Sequence, residues 1–371
     1  MSNEKTLLWV TPTRFGMDMC QTTQIGAAQA LVNLGWEVHF VSIKGDIANA
    51  PSALNHCRVT ELARPLNILS DGLAFNRSLS RSLCDVAAET KPSLALVEWR
   101  GSLGFMKANR ELKLPWILED RSPPVRRTLQ GRLQWKIYDR AWKKASKAAD
   151  GWSVITESLA TFVQDRFKLD SAPIAIWPSG VDVHRFSPSS VTTPCLVYHG
   201  RLDKERDIVS IVEACEHLRK TIPEITLLVC GHGNDEKRLL SLSSQRPWFE
   251  FKGPLSPNEI PDVLAQATVG VLPLPDLTEW RHSSPLKLFE YAAAGLEVVA
   301  TDITAHRVYS ERPWMHLYDA TDRVTGLATS LEHVIRNQNA SRREQARRDA
   351  ENDFSWEGAV QPLHDALLSL L

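Results

Sequence analysis

Short apolar runs alternate with amphipathic segments of helical spacing along the whole chain. In the first half, the apolar runs cover residues 7–10, 38–41, 94–97, 116–118 and 151–155. Short runs of mostly apolar residues are typical of strands buried on both faces of a parallel sheet. Between the first two runs, residues 22–34 have helical spacing and are followed by Gly35. The pattern predicts a doubly wound α/β sheet with its functional loops at the carboxyl ends of the strands.

The same pattern starts again in the second half of the chain. Strand-like runs at residues 195–198, 226–230, 269–274 and 298–300, and Phe-Glu-Phe at 249–251, alternate with helical segments at 208–220 and 260–266. A stretch at residues 179–194, rich in Pro, Ser, Thr and Gly, separates the two series. We therefore predict two domains, residues 1–185 and 186–352, followed by a helical segment at residues 353–371.

One strand–loop–helix–strand unit of the second half carries a candidate phosphate site. Ser284 has the side chain of a helix N-cap, Pro285 suits the first helical position, and Gly295 suits the residue after the helix end. The start of such a helix carries free N–H groups and a partial positive charge, which favour phosphate. Lys287 adds a full positive charge in the first turn, and Glu290 lies on the same face three residues later. A cation for phosphate beside a carboxylate for sugar hydroxyls indicates a sugar-nucleotide site; the alternative is an ordinary amphipathic helix.

The residues from Ser284 to Gly295, Ser-Pro-Leu-Lys-Leu-Phe-Glu-Tyr-Ala-Ala-Ala-Gly, resemble the donor-binding signature of family-four retaining glycosyltransferases of the GT-B fold (glycosyl transferases group 1). The resemblance implies two Rossmann-like domains that face a central cleft, with the last helix crossing back to the N-terminal domain. It also implies that the C-terminal domain binds a nucleotide-diphosphate sugar and the N-terminal domain an acceptor. Within the signature, Ser284, Leu286, Lys287 and Glu290 are expected to contact the donor.

Two glycine-containing loops of the second half match the same family. Gly-Arg-Leu at residues 200–202, followed after three residues by Arg206 and Asp207, resembles the family pattern Gly-Arg-Leu, three residues, Lys-Gly, whose cations hold the donor diphosphate. Arg201 stands at the Arg position and Arg206 at the Lys position, and both can pair with phosphate. The alternative for Arg206 is a solvated charge, and Asp207 in place of Gly leaves the backbone of this loop open. Gly231, in a Gly-His-Gly loop, is expected to let the backbone approach the nucleotide.

Polar residues follow three predicted strands of the first half. Gly16 stands where the family often has a Gly-Gly pair that approaches the donor phosphates. Glu98 and Arg100 follow a second strand, and Glu119 and Arg121 follow a third, in a stretch that resembles the Glu-x-Arg-Asp loop of some family members. Charged groups at three strand ends indicate a polar cleft and not a core, with Glu119 and Arg121 as candidate catalytic residues. A structural role for each residue is the alternative.

The paired-glutamate motif of the family is incomplete in this chain. Its usual form is Glu, seven residues, Glu; Glu290 fills the second place, and His282 fills the first. Because the first Glu generally lies near the transferred sugar, His282 is a candidate catalytic residue that donates to a sugar hydroxyl or a phosphate oxygen. The alternative is a solvated loop histidine.

Composition argues against several other classes of protein. A net charge of −1 gives no electrostatic case for nucleic acid. The six cysteines are scattered, so neither a structural zinc site nor a disulfide framework is indicated, and a reducing cytosol fits best. No apolar run approaches the roughly 20 residues of a membrane span, and the N-terminus lacks the shape of a signal peptide. We expect a cytoplasmic protein that needs no metal or other cofactor.

One basic segment predicts a peripheral membrane contact. Residues 126–147 contain eight Lys or Arg residues and one acid, Asp139, interleaved with aromatic and aliphatic side chains. A basic amphipathic helix of this kind suits an anionic membrane surface, here the inner face of the cell membrane, beside a lipid-linked acceptor. The alternative is a solvated helix that packs its aromatic side chains inward.

The leading hypothesis is a retaining glycosyltransferase that moves a sugar from a nucleotide-diphosphate sugar to an acceptor hydroxyl. Assembly of a cell-surface polysaccharide, a glycolipid or a lipid-linked glycan fits this reaction. The cations and the helix start would stabilise the diphosphate leaving group. One alternative is a GT-B sugar-nucleotide epimerase or hydrolase, which would turn over the donor without an acceptor. Another is a catalytically degenerate subunit that binds nucleotide sugar.

Overall fold

The fold consists of two compact units, each built around its own parallel sheet. The structure, a computed structural model, describes residues 5–18, 21–63, 71–124 and 129–371. The first unit comprises the chain up to Gly180 together with His282–Ser284 and Trp356–Leu371, and the second comprises Val181–Arg281 and Pro285–Ser355. The chain thus changes unit at Gly180, a few residues before the boundary drawn from the sequence. His282–Ser284 belong to the first unit, although the helix that follows them belongs to the second.

The first unit contains a seven-stranded parallel sheet. Its strands are β1 (Thr6–Val10), β2 (Glu37–Ile43), β3 (Arg58–Leu62), β4 (Leu94–Glu98), β5 (Trp116–Asp120), β6 (Gly151–Val154) and β7 (Ala175–Ile176). They lie in the order β3-β2-β1-β4-β5-β6-β7, so the direction of winding reverses between β1 and β4. Strands β1, β4 and β5 are buried throughout, as their unbroken apolar runs predict.

Helices of the first unit pack their apolar faces on this sheet. They are α1 (Gln21–Asn33), α2 (Asp71–Thr90), α3 (Ser102–Leu112), α4 (Leu129–Ala145) and α5 (Glu157–Phe167). Leu79, Phe105 and Trp142, from three of these helices, join side chains of β4 and β5 in one buried core. The core fixes the strand ends that carry the polar loops.

The second unit contains a six-stranded parallel sheet. Its strands are β8 (Cys195–Arg201), β9 (Thr226–His232), β10 (Phe249–Gly253), β11 (Val269–Leu272), β12 (Glu297–Thr301) and β13 (Met315–Tyr318). Their order, β10-β9-β8-β11-β12-β13, reverses between β8 and β11. Its helices are α6 (Val209–Leu218), α7 (Glu236–Ser244), α8 (Ile260–Leu264), α9 (Thr278–Arg281), α10 (Leu286–Ala293), α11 (Thr304–Arg307), α12 (Thr325–Arg336) and α13 (Ala340–Asp353).

The last helix, α14 (Trp356–Leu368), belongs to the first unit. It packs beside α1, where a Cβ at Gly26 would lie 2.4 Å from the Trp356 ring, so glycine permits the close approach. The indole N–H of Trp36 donates to Nδ1 of His364 at 2.9 Å. The predicted α/β class, with two doubly wound sheets and a final helix that returns to the first unit, is therefore confirmed. Among the described residues, no helix is both long and apolar enough to span a bilayer.

Candidate donor site and associated residues

The second unit brings the predicted donor residues to the carboxyl edge of its sheet. The strand order reverses there between β8, which ends at Arg201, and β11, after which α10 begins at Leu286. At such a reversal the loops of neighbouring strands separate and leave a crevice, which takes ligands in open α/β sheets. Arg206 follows β8, and Lys287 and Glu290 lie on α10. The topology therefore gathers these residues around one point.

The start of α10 differs from the predicted one. The helix begins at Leu286, with Pro285 as the N-cap residue and no side-chain cap. The prediction of Ser284 as the cap is wrong, because its hydroxyl oxygen accepts the backbone N–H of Ser179 at 2.9 Å within the first unit. The first turn of α10 therefore keeps N–H groups that no side chain caps, which suits an anion.

The end of α10 follows the prediction. Gly295 has a φ of +64°, and its N–H donates to the carbonyl of Ala292 at 2.9 Å. The N–H of Leu296 donates to the carbonyl of Tyr291 at 3.0 Å. These two bonds form a Schellman ending, in which glycine adopts the left-handed conformation without a steric penalty. The predicted role of Gly295 is confirmed.

Lys287 and Arg206 bring two like charges together at the start of α10. The Nζ atom of Lys287 lies 5.6 Å from the centre of the Tyr198 ring. Burial of the ammonium, followed by the nearby Arg206 guanidinium, holds the pKa of Lys287 below the ordinary lysine range. Two neighbouring cations with limited access to water are costly unless an anion joins them. The pair is therefore suited to a multiply charged anion.

Arg206 does not behave as a solvated charge. Its guanidinium lies 4.4 Å from the centre of the Trp280 ring, and Trp280 is itself buried. The Nε atom of Arg206 is buried without a hydrogen-bond partner among the described residues. Stacking on an aromatic face orients the guanidinium, which also has a hydrogen bond with the Tyr198 hydroxyl. The alternative of a solvated charge is wrong, and a contact of Arg206 with a diphosphate stays a prediction.

Glu290 lies in the second turn of α10, against His199 of β8. Its Oε2 atom is 3.2 Å from Nε2 of His199, without the alignment of a hydrogen bond. Burial, and then the charge of Lys287, lowers the pKa of His199 to about 3, so this imidazole is neutral. Burial raises the pKa of Glu290, against the opposite effect of Lys287. A largely buried carboxyl with so few partners is available to hydroxyl donors such as those of a ribose.

Arg201 is half-exposed and already paired. Its Nε and Nη2 atoms donate to the two carboxylate oxygens of Asp203 at 3.1 and 3.0 Å, and its Nη1 lies 3.5 Å from Nε2 of His232. Asp203 also accepts the backbone N–H of Asn234 at 3.4 Å, so this carboxylate links the loops after β8 and β9. A diphosphate at Arg201 would share the guanidinium with Asp203 or replace it, because both offer paired oxygens to the same fork.

Gly231 is required for a different reason from the expected one. Its φ is +136°, and a Cβ there would lie 1.7 Å from the carbonyl oxygen of Gly200. The close approach is therefore between the ends of β8 and β9, which this glycine permits. A contact between Gly231 and a nucleotide stays a prediction.

Asp207, which stands where the family pattern has glycine, has a left-handed backbone conformation. Its φ is +58°, in the left-handed region. Both of its carboxylate oxygens accept hydrogen bonds from the guanidinium of Arg323. Left-handed backbone is unfavourable for most side chains and less so for Asp, and the ion pair holds this one in place. The loop after β8 thus makes a left-handed turn at Asp207 that an ion pair with Arg323 stabilises.

In the first unit, the expectation that Glu119 faces a polar cleft is wrong. Glu119 is the penultimate residue of β5 and is fully buried, and its Oε2 accepts the indole N–H of Trp9 at 2.9 Å. Burial raises the pKa of Glu119 to about 7. Side chains alternate along a strand, so a charged residue near a strand end can point into the core, where a hydrogen bond compensates it. Its neighbour Asp120 is also buried and accepts from the Tyr138 hydroxyl at 2.7 Å.

Arg121 contacts the chain just before the change of unit. Its guanidinium lies 3.8 Å from the centre of the Trp177 ring, and its Nη2 donates to the Ser179 hydroxyl at 3.4 Å. Burial lowers the pKa of Arg121 to about 10, against the effect of Glu119. Ser179 in turn donates its N–H to Ser284. Arg121 therefore supports residues 177–179 and, through them, Ser284; a catalytic role stays a prediction.

His282 is held firmly within the first unit. Its Nδ1 lies 2.6 Å from the Ser158 hydroxyl, and its carbonyl accepts the Thr156 hydroxyl at 3.0 Å. The imidazole lies 4.8 Å from the Phe162 ring, centre to centre. Thr156 is also the N-cap of α5, whose Leu159 N–H it accepts. The alternative of a solvated loop histidine is wrong, and the catalytic role of His282 stays a prediction.

Gly16 lies in the loop after β1, with a φ of +81°. A Cβ there would lie 1.7 Å from the carbonyl oxygen of Asp46, in the loop after β2. The Gly16 N–H donates to the side chain of Gln21 at 2.7 Å. Glycine is thus needed where these two loops touch, and its contact with donor phosphates stays a prediction.

Two family models together cover most of the chain. The model described as Glycosyltransferase Family 4 matches residues 23–185, and the model described as Glycosyl transferases group 1 matches residues 193–337. This chain belongs to the group 1, family 4 glycosyltransferases. The second match contains the loop after β8 and the whole of α10, so the predicted donor residues of these two elements lie inside it.

Relatives of the glycosyltransferase span both halves of the fold. Glycogen synthase of Mycobacterium tuberculosis is 26% identical over 223 residues, 57% of this chain and 52% of the relative, so the match spans about half of that relative. Sucrose-phosphate synthase from Thermosynechococcus elongatus has a TM-score of 0.79 at 17% identity over 99% of both chains. HepE from Anabaena, in complex with UDP-glucose, has a TM-score of 0.73 at 15% identity over 98% of this chain and 99% of its own. At these identities the structures show the fold, which is GT-B.

Helix α4 of the glycosyltransferase turns its aromatic residues inward. Tyr138 and Trp142 are fully buried, and Trp135 packs against the same core, whereas Leu133 is 53% exposed. The exposed side chains also include Arg132, Lys136, Arg140, Lys143 and Lys144. Residues 126–128, the start of the predicted basic segment, lie outside the described residues. The aromatic side chains of this segment are thus unavailable to a membrane, and its exposed face is basic.

Three residues that the motifs did not single out contact the donor residues. His199, Asp203 and Trp280 touch Glu290, Arg201 and Arg206, respectively. His199 and Asp203 flank the Gly-Arg-Leu motif at the end of β8, so their position next to the motif could have identified them from the sequence. Trp280 lies far from Arg206 in the sequence, and no local pattern connects them. Within the described ranges, no group of three or more His, Cys, Asp or Glu residues is placed to hold a metal ion.

Proposed function

We propose that this protein is a retaining glycosyltransferase that moves a sugar from a nucleotide-diphosphate donor to an acceptor hydroxyl. The observation that carries the proposal is the meeting of two like charges, Lys287 and Arg206, at the uncapped start of α10. A diphosphate supplies the negative charge that this group needs and accepts from its N–H donors. The site lies at the strand reversal where ligands bind in doubly wound sheets.

The proposed donor residues perform two tasks in the reaction. Lys287, Arg206 and Arg201 hold the diphosphate, and Glu290 accepts hydrogen bonds from the ribose hydroxyls. As the bond between the sugar carbon and the β-phosphate oxygen breaks, negative charge grows on that oxygen, and fixed cations stabilise it. Because these side chains already supply positive charge at the phosphates, the proposed reaction requires no metal.

The relatives suggest which substrates to test first. HepE is described in complex with UDP-glucose, and glycogen synthase is named for a polymer of glucose. We propose a uridine nucleotide sugar as the first donor to test. A polysaccharide or a lipid-linked glycan is the proposed class of acceptor.

The proposal is tested by turnover of a panel of nucleotide sugars with and without glycan acceptors, read as release of nucleoside diphosphate and as a new glycoside bond. We expect Lys287→Ala to lower the transfer rate about 100-fold or more, since it removes a stabiliser of the leaving group. Lys237→Ala, at an exposed lysine of α7, is the matched control and should leave the rate unchanged. Near-normal transfer by Lys287→Ala would refute the phosphate assignment. Equal turnover of the donor without an acceptor would indicate a hydrolase or an epimerase instead.

We also propose that the protein contacts an anionic membrane through α4. The support is the row of exposed basic side chains on that helix. Near an anionic surface each such residue contributes about 1 kcal/mol of attraction, which salt weakens. Such a contact would place the enzyme beside a lipid-linked acceptor.

A further inference from the structure

The second unit has a cavity at the amino edge of its sheet, opposite the edge that carries the predicted donor residues. The cavity has a volume of about 290 Å³, close to the lower end of the range of about 300–1,000 Å³ that is usual for small-molecule sites. The wall of this amino-edge cavity includes Thr226, Leu228, Trp248, Glu250 and Gln266. These residues lie where the chain enters β9, β10 and β11.

The amino-edge cavity is separate from the donor site. Strand β9 runs from one edge of the sheet to the other and is 7 residues long. At about 3.3 Å per residue, the two edges lie roughly 20 Å apart. A ligand of the cavity therefore does not touch the residues proposed to hold the diphosphate.

Trp248 gives the wall an aromatic surface that is held in place. The ring packs against the core formed by α6, β9 and β10, and the Arg219 guanidinium lies 5.4 Å from its centre. Trp248 is only half-buried, so these contacts do not cover it completely. Leu228, which is buried, adds an aliphatic surface to the same wall. A fixed aromatic ring beside an aliphatic side chain favours a ligand with an apolar face.

The polar groups of the wall are mostly hydrogen-bond acceptors. The Nε2 atom of Gln266 donates to the carbonyl of Asp262 at 2.8 Å, which leaves the amide oxygen as an acceptor. The carboxylate of Glu250 accepts from Nζ of Lys252 at 2.7 Å, so its charge is compensated. Thr226 adds a hydroxyl group. These groups suit a ligand that carries several hydroxyl donors.

The charges of the wall favour a neutral ligand. Among the described residues that line the cavity there is no Lys or Arg, so a phosphate would find no cation in the wall. A cationic ligand would have to displace Lys252 from Glu250. A sugar ring is neutral and presents C–H bonds on one face and hydroxyl groups around its edge. The C–H bonds pack on the electron-rich face of an aromatic ring, and the hydroxyl groups donate to carboxylate and amide oxygens.

We propose that the amino-edge cavity binds a neutral sugar ring of a glycan, with the ring on Trp248 and its hydroxyl groups on Glu250 and Gln266. The use of this binding rests on the function proposed above, in which a glycan is the acceptor. A glycan held at the cavity keeps its remaining sugars at a high local concentration around the enzyme. The gain requires a glycan long enough to extend from the cavity to the donor edge of the same unit.

Binding of neutral oligosaccharides to the full-length protein, without nucleotide, tests the cavity. An array of oligosaccharides of glucose, galactose, mannose and N-acetylglucosamine identifies a ligand, which is then titrated by calorimetry. One variant is Trp248→Ala, with Trp248→Phe as the conservative change. A second variant combines Glu250→Ala and Gln266→Ala, at two exposed residues, so it keeps the core intact. The matched control combines Glu357→Ala and Gln361→Ala, at exposed residues of α14 in the first unit.

We expect the wild type and the control to bind the same oligosaccharide, and Trp248→Ala and the double variant to bind it about tenfold or more weakly. Trp248→Phe should retain part of the affinity. No oligosaccharide binding by the wild type would overturn the proposal, as would equal affinity in the wild type and the double variant. A second UDP molecule per chain that the double variant loses would assign the cavity to a nucleotide and would also overturn it. UDP affinity at the donor site, measured on the same samples, should be unchanged in every variant, so a failure of the donor assignment is seen separately.

Discussion

Lys287 shows at the residue scale how the surroundings of a cation indicate the kind of ligand that would stabilise it. Its ammonium is desolvated and lies near a second cation, and both effects lower its pKa. The surrounding protein thus favours the neutral amine more than water does. A bound diphosphate would reverse this balance, because an adjacent anion favours the charged form. The affinity of the site for phosphate is therefore linked to protons.

Donor binding is expected to take up a proton above neutral pH. Below its lowered pKa, Lys287 is protonated in both the free and the bound protein; above that pKa, only the bound protein keeps the proton. UDP affinity should therefore fall as pH rises through the lowered pKa of the free protein. Calorimetry at about pH 8, in buffers that differ in ionisation enthalpy, measures the uptake directly. Lys287→Arg should abolish the uptake, because arginine stays protonated; an unchanged uptake would assign it to another group.

Glu290 gives a second prediction at this scale. Glu290→Gln keeps the shape of the side chain but removes the charge that accepts ribose hydroxyls. Hydrogen bonds to a charged group contribute about 1.5–3 kcal/mol, so UDP affinity should fall about 10- to 100-fold. Titrations with UDP and its 2′-deoxy and 3′-deoxy analogues identify the partner. The wild type should discriminate against at least one analogue and the variant should do so less; equal discrimination by both proteins would exclude a ribose contact.

At the scale of elements, the ends of β8 and β9 form a platform for the donor loops. The backbone of Gly231 lies against the carbonyl of Gly200, with no room for a side chain. Asp203 links the loops that follow these strands, and Asp207 continues the first loop in a left-handed turn held by Arg323. The platform sets the positions of Arg201 and Arg206 before any ligand arrives, which is how pre-organised sites limit the cost of binding.

Gly231→Ala should disrupt this platform. The added Cβ would meet a backbone oxygen at 1.7 Å, so neighbouring strands must separate. Gly253→Ala is the matched control, because its φ of +69° is also positive but nothing lies within 4 Å of the added Cβ. We expect the control to lose about 1 kcal/mol of unfolding free energy, and Gly231→Ala to lose at least about 2 kcal/mol more. Denaturant unfolding compares the two variants. Equal losses of unfolding free energy would contradict the prediction, because they would mean that β8 and β9 separate at no energetic cost.

The sequence predicts a strand or a helix well where a single physical effect, such as burial on both faces, determines the pattern of its residues. The central strands are buried on both faces, so their apolar runs are unbroken and visible in the sequence. Strands β3 and β13 mix polar with apolar residues and are partly exposed, because they lie at the edges of their sheets. A search for unbroken apolar runs misses them. Gly295 was predictable because its helix ending is local, whereas Ser284 was not, because its partner Ser179 is 105 residues away.

At the scale of the whole molecule, two segments belong to the first unit although they come after parts of the second unit in the sequence. His282–Ser284 belong to the first unit while α10 belongs to the second, and Trp356–Leu371 return to the first unit. The family resemblance predicted the final helix but not the anchoring of His282 on Ser158 and Phe162. Nor could it show that Glu119 points into the core, since a motif does not record the direction of a side chain. The cations predicted to bind the donor, by contrast, lie at the strand reversal, as the motif and the strand pattern together led us to expect.

The claim that Lys287 holds a donor phosphate is tested most directly by the affinities of UDP and UMP for the wild type and for Lys287→Met. If another base binds more tightly, its diphosphate and monophosphate replace this pair. The account predicts that the wild type prefers the diphosphate and that the variant loses about tenfold or more of this preference, as expected for a charge-assisted contact to phosphate. Lys237→Met should retain the preference of the wild type. The same preference in Lys287→Met as in the wild type would contradict the account.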